Sequence, residues 1–426
     1  MSQRLDLREE FATLGEELTP RLHHEKLIAW SRKPLLGLPS FIPALAAFLA
    51  IGNVLALGSW IFADADAGWL LAAFGLSAGF STLTRRRVQA ELDLGAKPVA
   101  ELRLLSEFLH RIDDDTFQSS KLCELQYKSL AIRDRPSARI AHLARLIDWN
   151  ESRRNQLFLP VASLLLLGTQ LAVRVQHWRR ENSAQIDQWL RALGEFEALT
   201  CLATLAFENP DYVFPTFRSG RPHLTARNLG HPLLPKDRRI GNDLELSGNS
   251  RWLLISGSNM SGKSTLLRSV GINTVLAFAG APVCAEQFSV SQLAIGASIR
   301  THDSLTESVS RFYAEIQRLT AIRDLAANQP TLYLLDEILH GTNSHDRRIG
   351  AEGVLGELVA KPSIGLVTTH DLALTELTGR LTPNGANVHF EDHLDGDQIA
   401  FDYTLRPGPV TRGNALALMR SLGLDV

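Results

Sequence analysis

Residues 251–265 read RWLLISGSNMSGKST, and no other stretch limits the possible fold as much. Trp252, Leu253, Leu254 and Ile255 form a short apolar run that reads as a buried strand, and from Ser264 through Leu276 apolar residues recur at helical spacing. Between them lies a complete G-x-x-x-x-G-K-S pattern. Gly257 and Gly262 let the backbone turn tightly with its amides facing inward, and the start of the next helix adds the positive end of its dipole. Such a cup suits a triphosphate. Lys263 is expected to reach the β- and γ-phosphates, and the Ser264 hydroxyl to take one position on Mg²⁺.

A phosphate-binding loop needs a carboxylate on a neighbouring strand. Residues 331–335, TLYLL, read as that strand and are followed by Asp336 and Glu337. In this geometry Asp336 holds Mg²⁺ through water and Glu337 polarises the attacking water. The plainer alternative is an acidic pair at a helix N-terminus. A third strand, 364–367, ends in Thr368, Thr369, His370 and Asp371. His370 stands where a γ-phosphate sensor is expected, although a histidine at a strand end also serves purely structural roles.

The N-terminal part has a different character. Residues 41–62 carry no charge and as a helix are long enough to cross a hydrocarbon core of ~30 Å. A tight turn with Asp64 and Asp66 follows, then a second uncharged stretch, 67–83, that stops at Arg85, Arg86 and Arg87. Basic residues at both outer ends and acids in the turn predict a transmembrane helical hairpin with its ends on the cytoplasmic side. A pair of buried core helices is the alternative. A third uncharged stretch, 157–173, is read as a re-entrant, interfacial or buried helix, because one more crossing would place the nucleotide site away from cytosolic ATP. Residues 88–155 show apolar positions three and four apart, such as Leu102, Leu105, Phe108 and Leu109. The clusters 85–87 and 111–115 are more simply a topology signal and solvated surface than nucleic-acid contacts.

Bulk composition adds limits. With 426 residues, 45% hydrophobic and 21% charged, the chain suits a globular protein of two or three domains. A formal net charge of −2 gives no overall pull toward nucleic acid, so DNA contact needs a local basic patch or a channel made by a dimer. Cys123, Cys201 and Cys284 lack metal-type spacing and fit a reducing compartment. The first residues, MSQRLDLREEF, lack the apolar core of a cleaved signal.

These motifs together resemble the MutS-type ATPases of DNA mismatch repair, in a membrane-associated subgroup. GSNMSGKST, with Gly257, Ser258, Asn259, Met260, Ser261, Gly262, Lys263, Ser264 and Thr265, is similar to that family's nucleotide-binding loop, where the Asn-Met pair is distinctive. DEILHGTNSHD at 336–346 resembles its Walker B segment and the loop after it. His231-Pro232 and Asn242 match the entry to its ATPase domain, and HDSLTESVSRFYAEI at 302–316 resembles the stretch with its signature serine, here Ser310, together with Phe312 and Glu315. In that family the serine acts on the ATP of the opposite subunit, so the resemblance implies a homodimer with composite sites. Where the family stacks an aromatic ring on adenine, this chain has Arg239 before Ile240, and a guanidinium plane stacks with different selectivity. Nothing resembles the family's mismatch-reading module or its connector.

The expected architecture is therefore an α/β P-loop ATPase domain over 226–426, with a MutS/ABC-type sheet and flanking helices. It is preceded by an all-α lever region over 88–225, the hairpin over 36–87 and a polar helical lead-in over 1–35. The implied catalytic set is Lys263, Glu337, His370 and, in trans, Ser310, with Ser264 and Asp336 on Mg²⁺. The expected activity is ATP hydrolysis coupled to DNA at the cytoplasmic membrane, the ATPase facing the cytoplasm. Competing readings are a membrane-side transport or signalling ATPase and a nucleotide-gated scaffold. Transport of the ABC kind is disfavoured because Ser310-Arg311-Phe312 stands where a Leu-Ser-Gly-Gly-Gln signature would be.

Overall fold

The computed structural model describes residues 4–17, 23–34, 38–39, 41–130, 135–152, 158–248, 250–258, 260–299, 311–381, 385–395 and 398–410. The chain forms two compact units, Met1–Cys201 and Leu202–Val426.

The first unit is helical, with α1 (Leu5–Glu17), α2 (His24–Ser31), α3 (Ile42–Phe62), α4 (Ala67–Ala96), α5 (Val99–Asp114), α6 (Ser120–Leu130), α7 (Pro136–Ser152), α8 (Leu159–Leu164) and α9 (Leu167–Asn182), followed by α10 (Ile186–Glu208). On α5 the three-and-four spacing of Leu102, Leu105, Phe108, Leu109 and Ile112 becomes a buried stripe. It belongs to one core with Leu92, Leu143, Ile147, Val175, Trp189 and Phe196. Gly95 sets the approach of α4 to α9, since a methyl group there would lie 2.7 Å from Val175 Cγ1. One turn earlier, Arg179 Nη1 donates to Glu91 Oε1 at 2.7 Å with both side chains fully enclosed, and Arg179 Nη2 donates to the Lys33 carbonyl at 3.0 Å. Neither charge could stay in that interior without the other.

Helices α3 and α4 depart from this pattern. The turn between them is closed by Asp66, whose carboxylate accepts the Gly68 amide at 2.6 Å. Among the described residues these are the two helices long and apolar enough to cross a membrane. Most of their apolar surface is left uncovered: Phe62 is 88% exposed, Leu83 86% and Trp69 74%. Helix α4 does not stop at Arg85–Arg87 with its apolar stretch but runs on unbroken into the helical core, where Val88 and Leu92 are buried. The third uncharged stretch is two helices instead of one. Leu166 has a φ of 49°, a left-handed conformation that interrupts the hydrogen-bond ladder between α8 and α9. Asn53 Nδ2 donates to the Leu164 carbonyl at 2.9 Å and its Oδ1 accepts from Ser77 Oγ at 3.1 Å, so α3, α4 and α8 are tied by one polar joint.

The second unit holds two sheets. Its strands are β1 (Thr216–Arg218), β2 (Leu224–Leu229), β3 (Asn242–Leu246), β4 (Trp252–Ser256), β5 (Gln287–Ser291), β6 (Ala294–Ser298), β7 (Thr331–Leu335), β8 (Ser363–Thr369), β9 (Ala386–Asp395) and β10 (Gln398–Pro407). Its helices are α11 (Lys263–Ala279), α12 (Arg311–Asn328), α13 (Ser344–Val359) and the short α14 (Leu377–Arg380). One sheet runs β1-β5-β2-β3 and the other β10-β9-β4-β8-β7-β6. In the larger sheet β9, β4, β8, β7 and β6 are parallel and β10 returns antiparallel. Strands β4, β7 and β8 are buried along their whole length, which is why each carries a continuous stretch without charge and a mainly apolar centre. One face packs on Leu266, Leu267 and Val270 of α11, the other on Leu319 and Ile322 of α12 and Leu355 and Leu358 of α13. Helix α11 ends where glycine permits it, Gly280 adopting a φ of 86°.

Candidate functional site

The carboxyl ends of β4, β8 and β7 lie side by side, the position at which open α/β sheets bind ligands. The loop 257–262 leaves β4 and enters α11 with three left-handed residues, Gly257 at φ 148°, Met260 at 68° and Gly262 at 105°. A side chain on Gly257 would lie 2.9 Å from the Phe390 carbonyl, so the loop can close only around glycine there. Inside the loop Lys263 Nζ donates to the carbonyls of Gly257 at 2.8 Å and Ser258 at 2.7 Å. Burial holds the Lys263 ammonium below the ordinary lysine range, while the carboxylates of Glu337 and Asp336 act in the opposite direction. The hydroxyls of Ser258 and Ser261 are buried without a hydrogen-bond partner among the described residues. Orphaned donors of this kind, at the positive end of α11, await acceptor oxygens.

From the neighbouring strands come the acids. Ser264 Oγ donates to Asp336 Oδ1 at 3.0 Å, and Thr368 Oγ1 donates to the same oxygen at 2.8 Å. Thr368 Oγ1 also accepts the Glu337 amide at 2.7 Å. Glu337 has a φ of 52°, a costly conformation for a residue with a Cβ. The segment after it is held by Glu315, whose Oε1 accepts the Leu339 amide at 2.6 Å, and by Arg347, which donates to the carbonyls of Leu339, His340 and Thr342. His370 and His340 meet edge to face at 4.7 Å between centroids. Partial desolvation first, and the neighbouring His340 next, hold the His370 imidazole below its usual range. Glu337, His340 and His370 offer ligand atoms within 4.8 Å of one another.

The loop residues Gly257, Ser258, Met260, Ser261, Gly262, Lys263, Ser264 and Thr265 thus stand at one sheet end with Asp336, Glu337 and His370. Asn259 and Ser310 lie outside the described residues. Arg239 is committed elsewhere: Nη1 donates to the Tyr212 hydroxyl and to Cys284 Sγ, each at 2.9 Å, with the guanidinium 5.5 Å from the Tyr212 ring centre. Ile240 is 48% exposed.

Three residues of this region were not assigned a role from sequence. Thr368 was visible only as the end of a strand. His340 lies within the segment 336–346 but had no role of its own assigned there. Tyr403 is brought to the loop by an irregularity in the pairing of β10 with β9 between Phe401 and Leu405. Asn242 clamps the two sides, donating to the Tyr403 carbonyl at 3.0 Å and accepting the Leu405 amide at 2.6 Å. A methyl on Gly262 would meet Tyr403 Cδ1 at 3.1 Å.

An amide-rich loop with a buried lysine stands next to a hydroxyl–carboxylate pair, donors and acceptors of the kinds that suit phosphate oxygens and a hard divalent cation. Comparison with known proteins names the class more closely. Residues 253–424 match the family model of MutS domain V. The chain is 33% identical over 267 residues to a DNA mismatch repair protein MutS of Sorangium cellulosum, covering 60% of this chain and 28% of that protein. It is 30% identical over 260 residues to the DNA mismatch repair protein MSH6 of Arabidopsis thaliana, covering 56% of this chain and 20% of that protein. These matches support a MutS-family C-terminal ATPase domain over residues 253–424. The chain spans less than a third of the length of either relative.

Proposed function

We propose that this chain is a membrane-attached MutS-type ATPase that works as a homodimer and couples ATP binding and hydrolysis to DNA. The observation that supports the reading most is the junction of Ser264, Asp336 and Thr368 beside the buried Lys263. Lys263, which donates to two loop carbonyls, exchanges them for oxygens of the β- and γ-phosphates. Ser258 and Ser261 supply further donors from hydroxyls that have no other partner among the described residues. The donor set of one hydroxyl and one carboxylate suits Mg²⁺, with Ser264 and Asp336 as its holders; when bound it neutralises charge on the phosphate oxygens. Glu337, its backbone pinned by Thr368, orients and polarises the attacking water. A neutral His370 donates to the γ-phosphate, and the Tyr403 ring covers the base beside Gly262. Ser310 of a second copy completes the site in trans. Adenine stacking by Arg239 is not part of this proposal, because its guanidinium is already engaged.

The DNA side of the proposal rests on the two relatives being DNA mismatch repair proteins. Attachment to the membrane rests on α3 and α4, apolar and largely uncovered by the rest of the protein. The ATPase domain then faces the cytoplasm. The test is anisotropy of labelled homoduplex, mismatched and branched DNA against the detergent-solubilised protein, with and without ATP across a salt series. Nucleotide-sensitive binding that weakens with salt is expected. Intact ATPase activity without binding to any DNA at low salt would move the reading to a membrane-side ATPase with another load.

A further inference from the structure

We propose that the cleft between α4, α8 and α9 binds the phosphate of an anionic lipid headgroup, an inference that rests on the membrane attachment of α3 and α4. The cleft has a volume of about 470 Å³ and is lined by Ser77, Ser81, Thr84 and Arg85 of α4, Ser163 of α8 and Thr169 of α9. On α4 these positions recur at helical spacing, so with Thr82 beside them a polar stripe runs down one side of a helix whose remaining surface over 67–83 is uncharged and mainly apolar. A polar stripe at that depth needs either protein partners or a ligand.

Some of it has protein partners. Ser77 donates to Asn53, and Thr84 Oγ1 donates to the Phe80 carbonyl at 2.9 Å. Thr169 is different: it is only 5% exposed, lines the cleft, and its hydroxyl has no hydrogen-bond partner among the described residues. It lies in the first turn of α9, a helix started by the left-handed Leu166 and without a side-chain cap among the described residues; the Thr169 amide donates to the Leu166 carbonyl at 3.1 Å, and the positive dipole end of the helix favours an acceptor. Gly168, next to it, also lines the cleft. Arg85 reaches the same space from α4, is exposed, and has no ion-pair partner among the described residues. A planar guanidinium, the hydroxyl of a largely buried residue and a helix N-terminus converging on one cleft form an oxyanion site.

Depth selects the source of the oxyanion. Arg85 follows directly on the apolar stretch 67–83, which puts the cleft at headgroup level and leaves Phe74 and its apolar neighbours on α4 for the acyl chains. Basic pockets between helices on the cytoplasmic side are suited to anionic headgroups. The cleft volume holds a headgroup but not the tails.

The experiment incubates the chain with phosphatidylcholine vesicles, with and without phosphatidylglycerol, scores flotation, and counts phosphatidylglycerol retained after mild detergent extraction by native mass spectrometry. Arg85→Gln and Thr169→Val are compared with Arg86→Gln, which removes the same charge from a residue outside the cleft lining. The expected result is flotation of all four proteins and one retained phosphatidylglycerol on the wild type and on Arg86→Gln. Retention is expected to fall about tenfold in Arg85→Gln and in Thr169→Val, the loss of one charge-assisted or one buried hydrogen bond. Equal loss in Arg86→Gln would mean diffuse attraction to the arginine cluster and overturn the site. Displacement of the retained lipid by inorganic phosphate would overturn the lipid source and assign the cleft to a free anion. Flotation without selective retention overturns this inference alone, whereas failure to float on either vesicle overturns the membrane reading with it.

Discussion

The Ser264 hydroxyl donates to Asp336 Oδ1 across 3.0 Å of space and 72 positions of sequence. It joins the first turn of α11 to the end of β7, and β8 reaches the same carboxylate through Thr368. The junction therefore assembles only when three parallel strands are in register. Disturbing it should affect chemistry and nucleotide affinity in separable ways.

Removing Lys263 takes away the cation inside the loop and leaves two carbonyls facing one another. Lys263→Ala is expected to lower ATP affinity and hydrolysis by at least about 10²-fold. Glu337→Gln should instead leave ATP bound and lower turnover by about 10²- to 10⁴-fold. Nucleotide retention on a desalting column, measured beside phosphate release, checks both. Wild-type turnover in either variant would sink the assignment.

Thr368→Val keeps the shape of the side chain and removes a bridge between Asp336 and the Glu337 amide. Each lost hydrogen bond costs about 1 kcal/mol. The expected result is roughly a tenfold fall in kcat together with a higher Mg²⁺ requirement, read from a Mg²⁺ titration of steady-state turnover.

Tyr403 lies against Gly262 on an irregular part of β10 and is 43% exposed. If its ring covers the base, Tyr403→Ala should raise KM for ATP about tenfold with little change in kcat, and Tyr403→Phe should restore it. A fall in kcat at unchanged KM would assign the residue to the loop's shape instead.

The Glu91–Arg179 pair is wholly enclosed, so losing one partner strands a charge. Arg179→Leu is expected to destabilise the helical unit by about 3–5 kcal/mol, with most of the loss regained when Glu91→Leu is added. Chemical denaturation followed by circular dichroism would measure both.

His370 gives a pH signature. Its imidazole is held below the unfolded value by desolvation and by His340, so below about pH 6.5 the unfolded chain takes up more protons. Stability tied to this group is present above that pH and is lost as pH falls. The melting temperature should drop between about pH 7 and about pH 5 by less in His370→Gln than in the wild type. An equal drop would show that other groups carry the dependence.

Several features were legible in sequence because they are local. The strand–loop–helix order around 251–265 follows from apolar runs, two glycines and helical spacing, and the structure has β4, the loop and α11 there. The parallel strands β7 and β8 were visible because burial on both faces demands continuous apolar residues. The uncharged stretches 41–62 and 67–83 became α3 and the first part of α4 for the same reason of composition. Periodicity could not say where α4 ends, because the charged Arg85–Arg87 and the buried Val88 and Leu92 share one unbroken helix.

By itself the sequence determined which residue types could meet a phosphate, which strands had to be buried, and where two long uncharged stretches would lie. Only the tertiary structure decided that Thr368 bridges Asp336 and Glu337, that Arg239 turns to Tyr212 and Cys284, and that Tyr403 reaches Gly262. It also decided that 157–173 breaks at Leu166 instead of continuing as one helix. The physical reason is common to all four. Backbone patterns are set by near neighbours, whereas a hydrogen bond, a stacked ring or a helix break is selected by groups that sheet register and helix packing bring from distant parts of the chain.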